Sequence, residues 1–155
     1  MTEKRLVGAH PSGGYILDEL HVGMTAEKTV EVTEARIQLF AEASDDFNPV
    51  HMDDAYASRT AYRGRIAHGL LSASFGSAVV GTVLPGAGAI YLHQSLTFEK
   101  PVRIGDRVTA RVTVAAVDPE TARVTLKTEG WIGDQFIMGG EAAVRAPRRR
   151  RPAKD

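Results

Sequence analysis

The chain has 155 residues of which 43% are apolar, enough for one domain with a sizeable core and too short for a second. It has no cysteine, which excludes disulfides, thiolate metal sites and cysteine nucleophiles. Nineteen Lys and Arg balance nineteen Asp and Glu, but the last eight residues hold five of the cations (Arg148 to Arg151 and Lys154) beside Asp155, so the body has 14 cations against 18 anions and no basic footprint for nucleic acid.

Residues 1–14 read as an N-terminal extension. Lys4 and Arg5 are not followed by the apolar block of a secretory signal, and no run reaches the roughly eighteen apolar residues that span a bilayer. The expectation is a cytoplasmic protein with no membrane or nucleic-acid partner. From Tyr15 to Val32 the pattern is extended, with Val30 and Val32 on one face. Thr33 then caps a helix from Glu34 to Ser44, in which Ile37, Phe40, Ala41 and Ser44 share a face. Glu34 suits the positive end of that helix.

The run Asp45-Asp46-Phe47-Asn48-Pro49-Val50-His51 follows. Proline fixes its own φ and biases Asn48 away from helix, so Asp46 and His51 can face a common spot across a turn. A carboxylate and an imidazole on one water can orient and deprotonate it, and one of them can return a proton to the substrate. Taken alone, the spacing is equally that of a helix-end aspartate and a structural histidine. Asp53 to Ser58 reads as one short helical turn and Arg59 to Ala67 as a loop. His68 to Val83 is small or apolar on nearly every side, the mark of a buried helix. Past Pro85-Gly86-Ala87-Gly88 the period changes to two. One strand carries Ile90, Leu92, Gln94, Leu96 and Phe98 on a single face, and a second repeats Val108, Ala110, Val112, Val114 and Ala116. Asp118 to Thr121 is a turn, Arg123 to Ile132 a third strand, Gly133-Asp134 a hairpin turn and Gln135 to Val144 a fourth. Strands clustered after one buried helix predict an α+β domain over 15–146 in which an antiparallel sheet wraps that helix. Residues 147–155 read as a basic, disordered tail.

Phe40 and the run Ser44 to His51 resemble the hydratase 2 signature of MaoC-like, (R)-specific enoyl-CoA hydratases. Ala67-His68-Gly69-Leu70-Leu71, Ile90 to Phe98, Lys100-Pro101-Val102 and Ile104-Gly105-Asp106 are similar to that family's later landmarks, in order. The resemblance covers Tyr15 to Val144. It implies a hot-dog fold with its central helix at about 68–83, a hydro-lyase acting on acyl-CoA thioesters without a cofactor, and a homodimer or dimer-based oligomer. Carried over by position, Asp46 and His51 become the catalytic pair, Asn48 a site asparagine, Gly69 the backbone N–H facing the thioester oxygen, and Ser77 a serine supporting the aspartate. Which of Asp46 and His51 is the principal base stays open.

The chain departs from the signature at Asp45, where glycine is usual. A second carboxylate facing the site would raise the pKa of Asp46, whereas a solvent-facing one would not. Related readings are a dehydratase for acyl carrier protein substrates, a hot-dog thioesterase and a non-catalytic acyl-CoA-binding subunit. The Asp46, Asn48 and His51 set argues against the last. No metal is expected, because the acids and histidines lack the spacing of zinc peptidases or EF-hand loops. Ser72 and Ser74 lack a nucleophile elbow. Tyr62, Arg63, Arg65, Lys100 and Arg103 are candidates for CoA phosphates.

Overall fold

The computed structural model describes residues 13–149. Most of the expected N-terminal extension, with His10, and the basic run from Arg150 onward lie outside the described residues. After a 3₁₀ turn at Leu17–Glu19 come β1 (Thr25–Glu31), α1 (Glu34–Ser44), two short helices α2 (Pro49–Met52) and α3 (Asp54–Ala57), and the long α4 (Gly69–Thr82). The remainder is strand: β2 (Ile90–Gln94), β3 (Thr97–Phe98), β4 (Arg107–Asp118), β5 (Arg123–Ile132) and β6 (Gln135–Arg145).

All strands pair antiparallel in one sheet of order β1-β4-β5-β6-β2, with β3 also on β6. Helix α4 lies on this sheet chiefly against β4, β1 and β5, which is the hot-dog arrangement. Period-two patterning explains the core, since Val108, Ala110, Val112 and Val114 of β4 and Val124 and Leu126 of β5 are at most 1% exposed. They meet Leu71, Phe75, Val79 and Val80 of α4 in one cluster. Each of the Val, Leu and Phe side chains contributes about 1.5–3 kcal/mol by leaving water.

Helix α1 has the expected bounds, with Thr33 Oγ1 accepting the Arg36 N–H at 3.2 Å and Ile37 and Ala41 buried. Four expectations change. Asn48-Pro49 opens a helical turn rather than a plain bend: the Asn48 side chain accepts from Val50 N, and Pro49 sits in the first turn, where its missing N–H costs nothing. Ala116 is exposed, because a register shift between Val114 and Ala116 reverses the faces and packs Val117 on the core instead. The expected strand over 90–98 is broken into β2 and β3 and does not bury one face; Ile90 is 57% and Leu92 42% exposed. It is the margin of the sheet, and its two strands pair, among the described residues, with β6 alone. Finally, α4 is buried on one side only, since Leu70, Ser74 and Ser77 are exposed in the single chain.

Candidate active site

Helix α1 ends at Asp45, whose φ of 60° and ψ of 17° place it in the left-handed region. That is the backbone reason for glycine at this position in the signature, and aspartate is among the few other residues that adopt it without large cost. Asp45 is exposed and absent from the cavity described below, so its carboxylate faces solvent. The reversal leads into a chain of local bonds. Ser44 Oγ donates to Phe40 O at 2.6 Å and accepts Asp46 N–H at 3.2 Å. Asp46 Oδ1 accepts Asn48 N–H at 3.1 Å, and Asn48 Oδ1 accepts Val50 N–H at 3.2 Å. Short polar side chains bonding to backbone two residues on hold such turns without regular structure.

This turn sets Asp46, exposed, beside His51, 9% exposed on α2. His51 Nδ1 lies 2.8 Å from Ile66 O. A carbonyl only accepts, so Nδ1 carries the hydrogen and Nε2 of the neutral ring presents a lone pair. Burial pushes the His51 pKa below the ordinary imidazole value; the bond to Ile66 O opposes that, His68 adds to it, and the Asp46 charge opposes it. His68, 2% exposed, places Nε2 at 2.9 Å from Asp46 O. Its ring packs between Phe40, at 4.9 Å between centroids, and His51, at 4.0 Å. A carboxylate oxygen of Asp46 and one nitrogen from each imidazole lie within 4.8 Å of one another. These three are the described residues closest to a metal-binding set. Each ring donates one N–H to a peptide carbonyl, and the two rings pack on one another, tilted by 34°.

The pair opens on a cavity of about 430 Å³ whose walls include His68, Gly69, Phe98, Lys100 and Met138. Gly69 is the first residue of α4, where N–H groups have no preceding turn to bond and the helix dipole is positive. A Cβ on Gly69 would meet Phe98 Cε1 at 2.8 Å. Glycine therefore keeps the peptide bare between the aromatic ring and the cavity.

Asp46, His51 and Gly69 thus come together at one cavity. Two other expected residues are placed differently. Asn48 is exposed and spends its side-chain oxygen as the cap of α2. Ser77 lies eight residues beyond Gly69 on the same helix, about 12 Å along it, and lines a second cavity of about 300 Å³ with Tyr91 and Glu129. It is not among the residues lining the cavity of Asp46 and His51. Among the phosphate candidates, Arg65 is bound by Glu34 at 2.6 Å and Asp54 at 3.0 Å, and Arg103 donates to Tyr62 O at 2.6 Å. Tyr62 and Lys100 remain on the cavity wall. Sequence reasoning missed the bond from His68 to Asp46 and the cover of Gly69 by Phe98. Neither has a local signal, since each joins residues distant in the chain.

No helix among the described residues is long and apolar enough to cross a membrane. A family model described as MaoC like domain matches residues 19–131. An (R)-specific enoyl-CoA hydratase of Rhodospirillum rubrum is 47% identical over 87% of this chain and 94% of its own length. A solved R-hydratase of Pseudomonas aeruginosa superposes with a TM-score of 0.82 at 40% identity, over 92% of this chain and 94% of that one. The (R)-hydratase of Aeromonas caviae involved in PHA biosynthesis gives 0.80 at 43% identity, over 83% of this chain and 98% of that one. With the match spanning helix α4, the turn that carries Asp46 and most of the sheet, the chain belongs to the MaoC-like domain family.

Proposed function

We propose that this chain is an (R)-specific enoyl-CoA hydratase, a hydro-lyase that reversibly adds water to trans-2-enoyl-CoA to give (R)-3-hydroxyacyl-CoA. The observation that carries the reading is the convergence of the Asp46 carboxylate, the His51 ring and the Gly69 peptide on one cavity. The hydratase names of relatives at 40–47% identity support it.

In this reading Asp46 and the free Nε2 of His51 hold one water. Its oxygen bonds to C3 of the enoyl thioester, its proton passes to the pair, and a proton is delivered to C2. Negative charge develops meanwhile on the thioester oxygen. The N–H of Gly69, at the positive end of α4, is placed for that charge, and one such donor is worth about 3 kcal/mol in enzymes where it has been removed. Neutral His51 suits the task, because burial holds its pKa down and leaves the lone pair available. The dehydration direction uses the same groups in reverse.

The working unit is a homodimer or an assembly of dimers. The exposed face of α4 around Leu70 and the β2 edge with Ile90 and Leu92 are the apolar surfaces a second copy would cover. Light scattering on the eluting protein gives the mass directly. For activity, crotonyl-CoA is mixed with the protein and the loss of conjugated enoyl-thioester absorbance is followed, with chiral analysis of the product. An (S) product, or no loss of absorbance, overturns the reading. Release of free thiol would indicate a thioesterase, saturable binding without turnover a non-catalytic subunit, and preference for carrier-protein thioesters at equal concentration a dehydratase of that class.

A further inference from the structure

His68 is the buried titratable group that the hydration chemistry above does not use. It is 2% exposed, it precedes the first residue of α4, and it makes no side-chain cap there. Its own carbonyl instead accepts Leu71 N–H at 3.1 Å and Ser72 N–H at 3.4 Å. The ring is turned away from its helix toward the catalytic turn, where Nε2 meets Asp46 O at 2.9 Å.

The carbonyl can only accept, so the hydrogen is on Nε2 and the neutral ring bears its lone pair on Nδ1. Nδ1 is buried without a partner, and so is the hydroxyl of Ser72, one helical turn further on. Both residues line the active-site cavity. The opposite tautomer would leave Asp46 O facing a second lone pair. The two imidazoles are therefore set in opposite senses. His51 donates from Nδ1 to Ile66 O, and His68 donates from Nε2 to Asp46 O. Each bond ties a different segment of the site to its neighbour, and the two rings pack on one another at 4.0 Å.

We propose that His68 is a positioning residue: its Nε2–H clamps the Asp46 peptide to the start of α4, and its ring backs His51, so that carboxylate, imidazole and the Gly69 N–H are held in one frame. The inference rests on the hydratase reading for its kinetic part. It does not depend on that reading for the hydrogen-bond geometry. Asp46 is exposed, and among the described residues its own other hydrogen bonds are local, from Asp46 N–H to Ser44 Oγ and from Asn48 N–H to Asp46 Oδ1. The tie from His68, 22 residues on, is what relates it to α4. Misplacement of a reacting group by about 1 Å can cost on the order of 100-fold in rate.

The test compares His68→Gln with His68→Met, side chains of similar length and volume of which only glutamine keeps an N–H near the Nε2 position. Steady-state hydration of crotonyl-CoA is measured with each, together with thermal melting. The expected result is kcat lowered on the order of 10- to 100-fold in His68→Met, with KM changed less than threefold, and most of kcat recovered in His68→Gln. Equal kcat in the two variants overturns the clamp, because a residue that merely fills space would not distinguish them. Long-range ¹⁵N–¹H spectra of histidine-labelled, unsubstituted protein are the second measurement. They are expected to show His68 protonated at Nε2 and His51 at Nδ1, and a His68 ring protonated at Nδ1 alone overturns the assignment even if neither variant folds. If the unsubstituted protein does not hydrate the substrate, the functional reading fails, and the nitrogen spectra still decide the clamp.

Discussion

Replacing Gly69 by alanine separates the peptide's chemical role from its packing role. The added Cβ would stand 2.8 Å from Phe98 Cε1 and 3.0 Å from Cδ1, inside the roughly 3.5–4.0 Å of favourable carbon contact. Overpacking of a tight core costs about 1–3 kcal/mol, but Phe98 is 49% exposed on the two-residue β3 and its ring can swing outward. The cost belongs at the low end, and alanine's better helix propensity, up to about 1 kcal/mol in a helix interior and less at its start, offsets part of it. A net change within about 1 kcal/mol moves the melting temperature by only some 2–4 °C in a chain of this size. Activity responds on another scale. Alanine keeps the N–H, but a methyl group beside it hinders the close approach of the thioester oxygen, and a donor held out of reach costs up to about 10²–10³ in kcat, the loss of a donor removed outright. Enoyl-thioester absorbance and a thermal melt on the same preparation read both quantities. The double variant Gly69→Ala/Phe98→Leu relieves the ring contact and is expected to stay as slow as the single one. A Gly69→Ala protein with kcat within threefold of the unsubstituted chain would refute the need for a bare peptide at the thioester; recovery in the double variant would show that ring displacement caused the loss.

Asp46→Asn and His51→Ala are each expected to lower kcat/KM by about 10²–10⁴-fold with folding retained by circular dichroism, and full activity in either removes the shared-water mechanism. The acid limb of the kcat/KM profile is expected below the ordinary imidazole pKa, because burial holds His51 neutral. The unfolded chain then binds a proton that the native state refuses, so the His51 contribution to stability is present above the ordinary value and is lost as pH falls through it toward the native pKa; an NMR titration placing His51 above the ordinary value contradicts this. Asp45→Gly relieves a left-handed residue with φ of 60° and is expected to leave turnover unchanged and raise stability by up to about 1 kcal/mol, whereas a large loss of activity would mean that the Asp45 carboxylate serves the site. Leu126→Ala, at a position with 0% exposure, is expected to cost about 2–5 kcal/mol, read as a lower urea midpoint at unchanged m; a midpoint left in place would mean that the sheet face was wrongly assigned to the core.

Local physics made much of this protein legible in one dimension. Thr33 and the spacing of Ile37 and Ala41 define α1 because a cap and a 3.6-residue period are properties of adjacent residues. The alternation from Val108 to Val114 and the turn at Gly133-Asp134 define the strands of the core for the same reason. The ordered landmarks from Phe40 to Asp106 pointed to the family that the match over residues 19–131 establishes. Where the sequence misleads, a neighbour far along the chain is responsible. The bulge before Ala116 answers to pairing with β5, and the exposure of Ile90 and Leu92 answers to their place at the sheet edge. Asp46 and His51 could be nominated from five residues of spacing. Their alignment required Ile66 to take one imidazole hydrogen and His68 to hold the Asp46 peptide. The close cover of Gly69 by Phe98 likewise joins residues distant in the chain. Periodicity and turn chemistry are written in neighbouring residues, so the sequence alone determined the elements and the candidate pair. The tautomers, the bare peptide at the helix start and the separation of Ser77 from Asp46 depend on which distant backbone each side chain meets, and only the tertiary structure decided them.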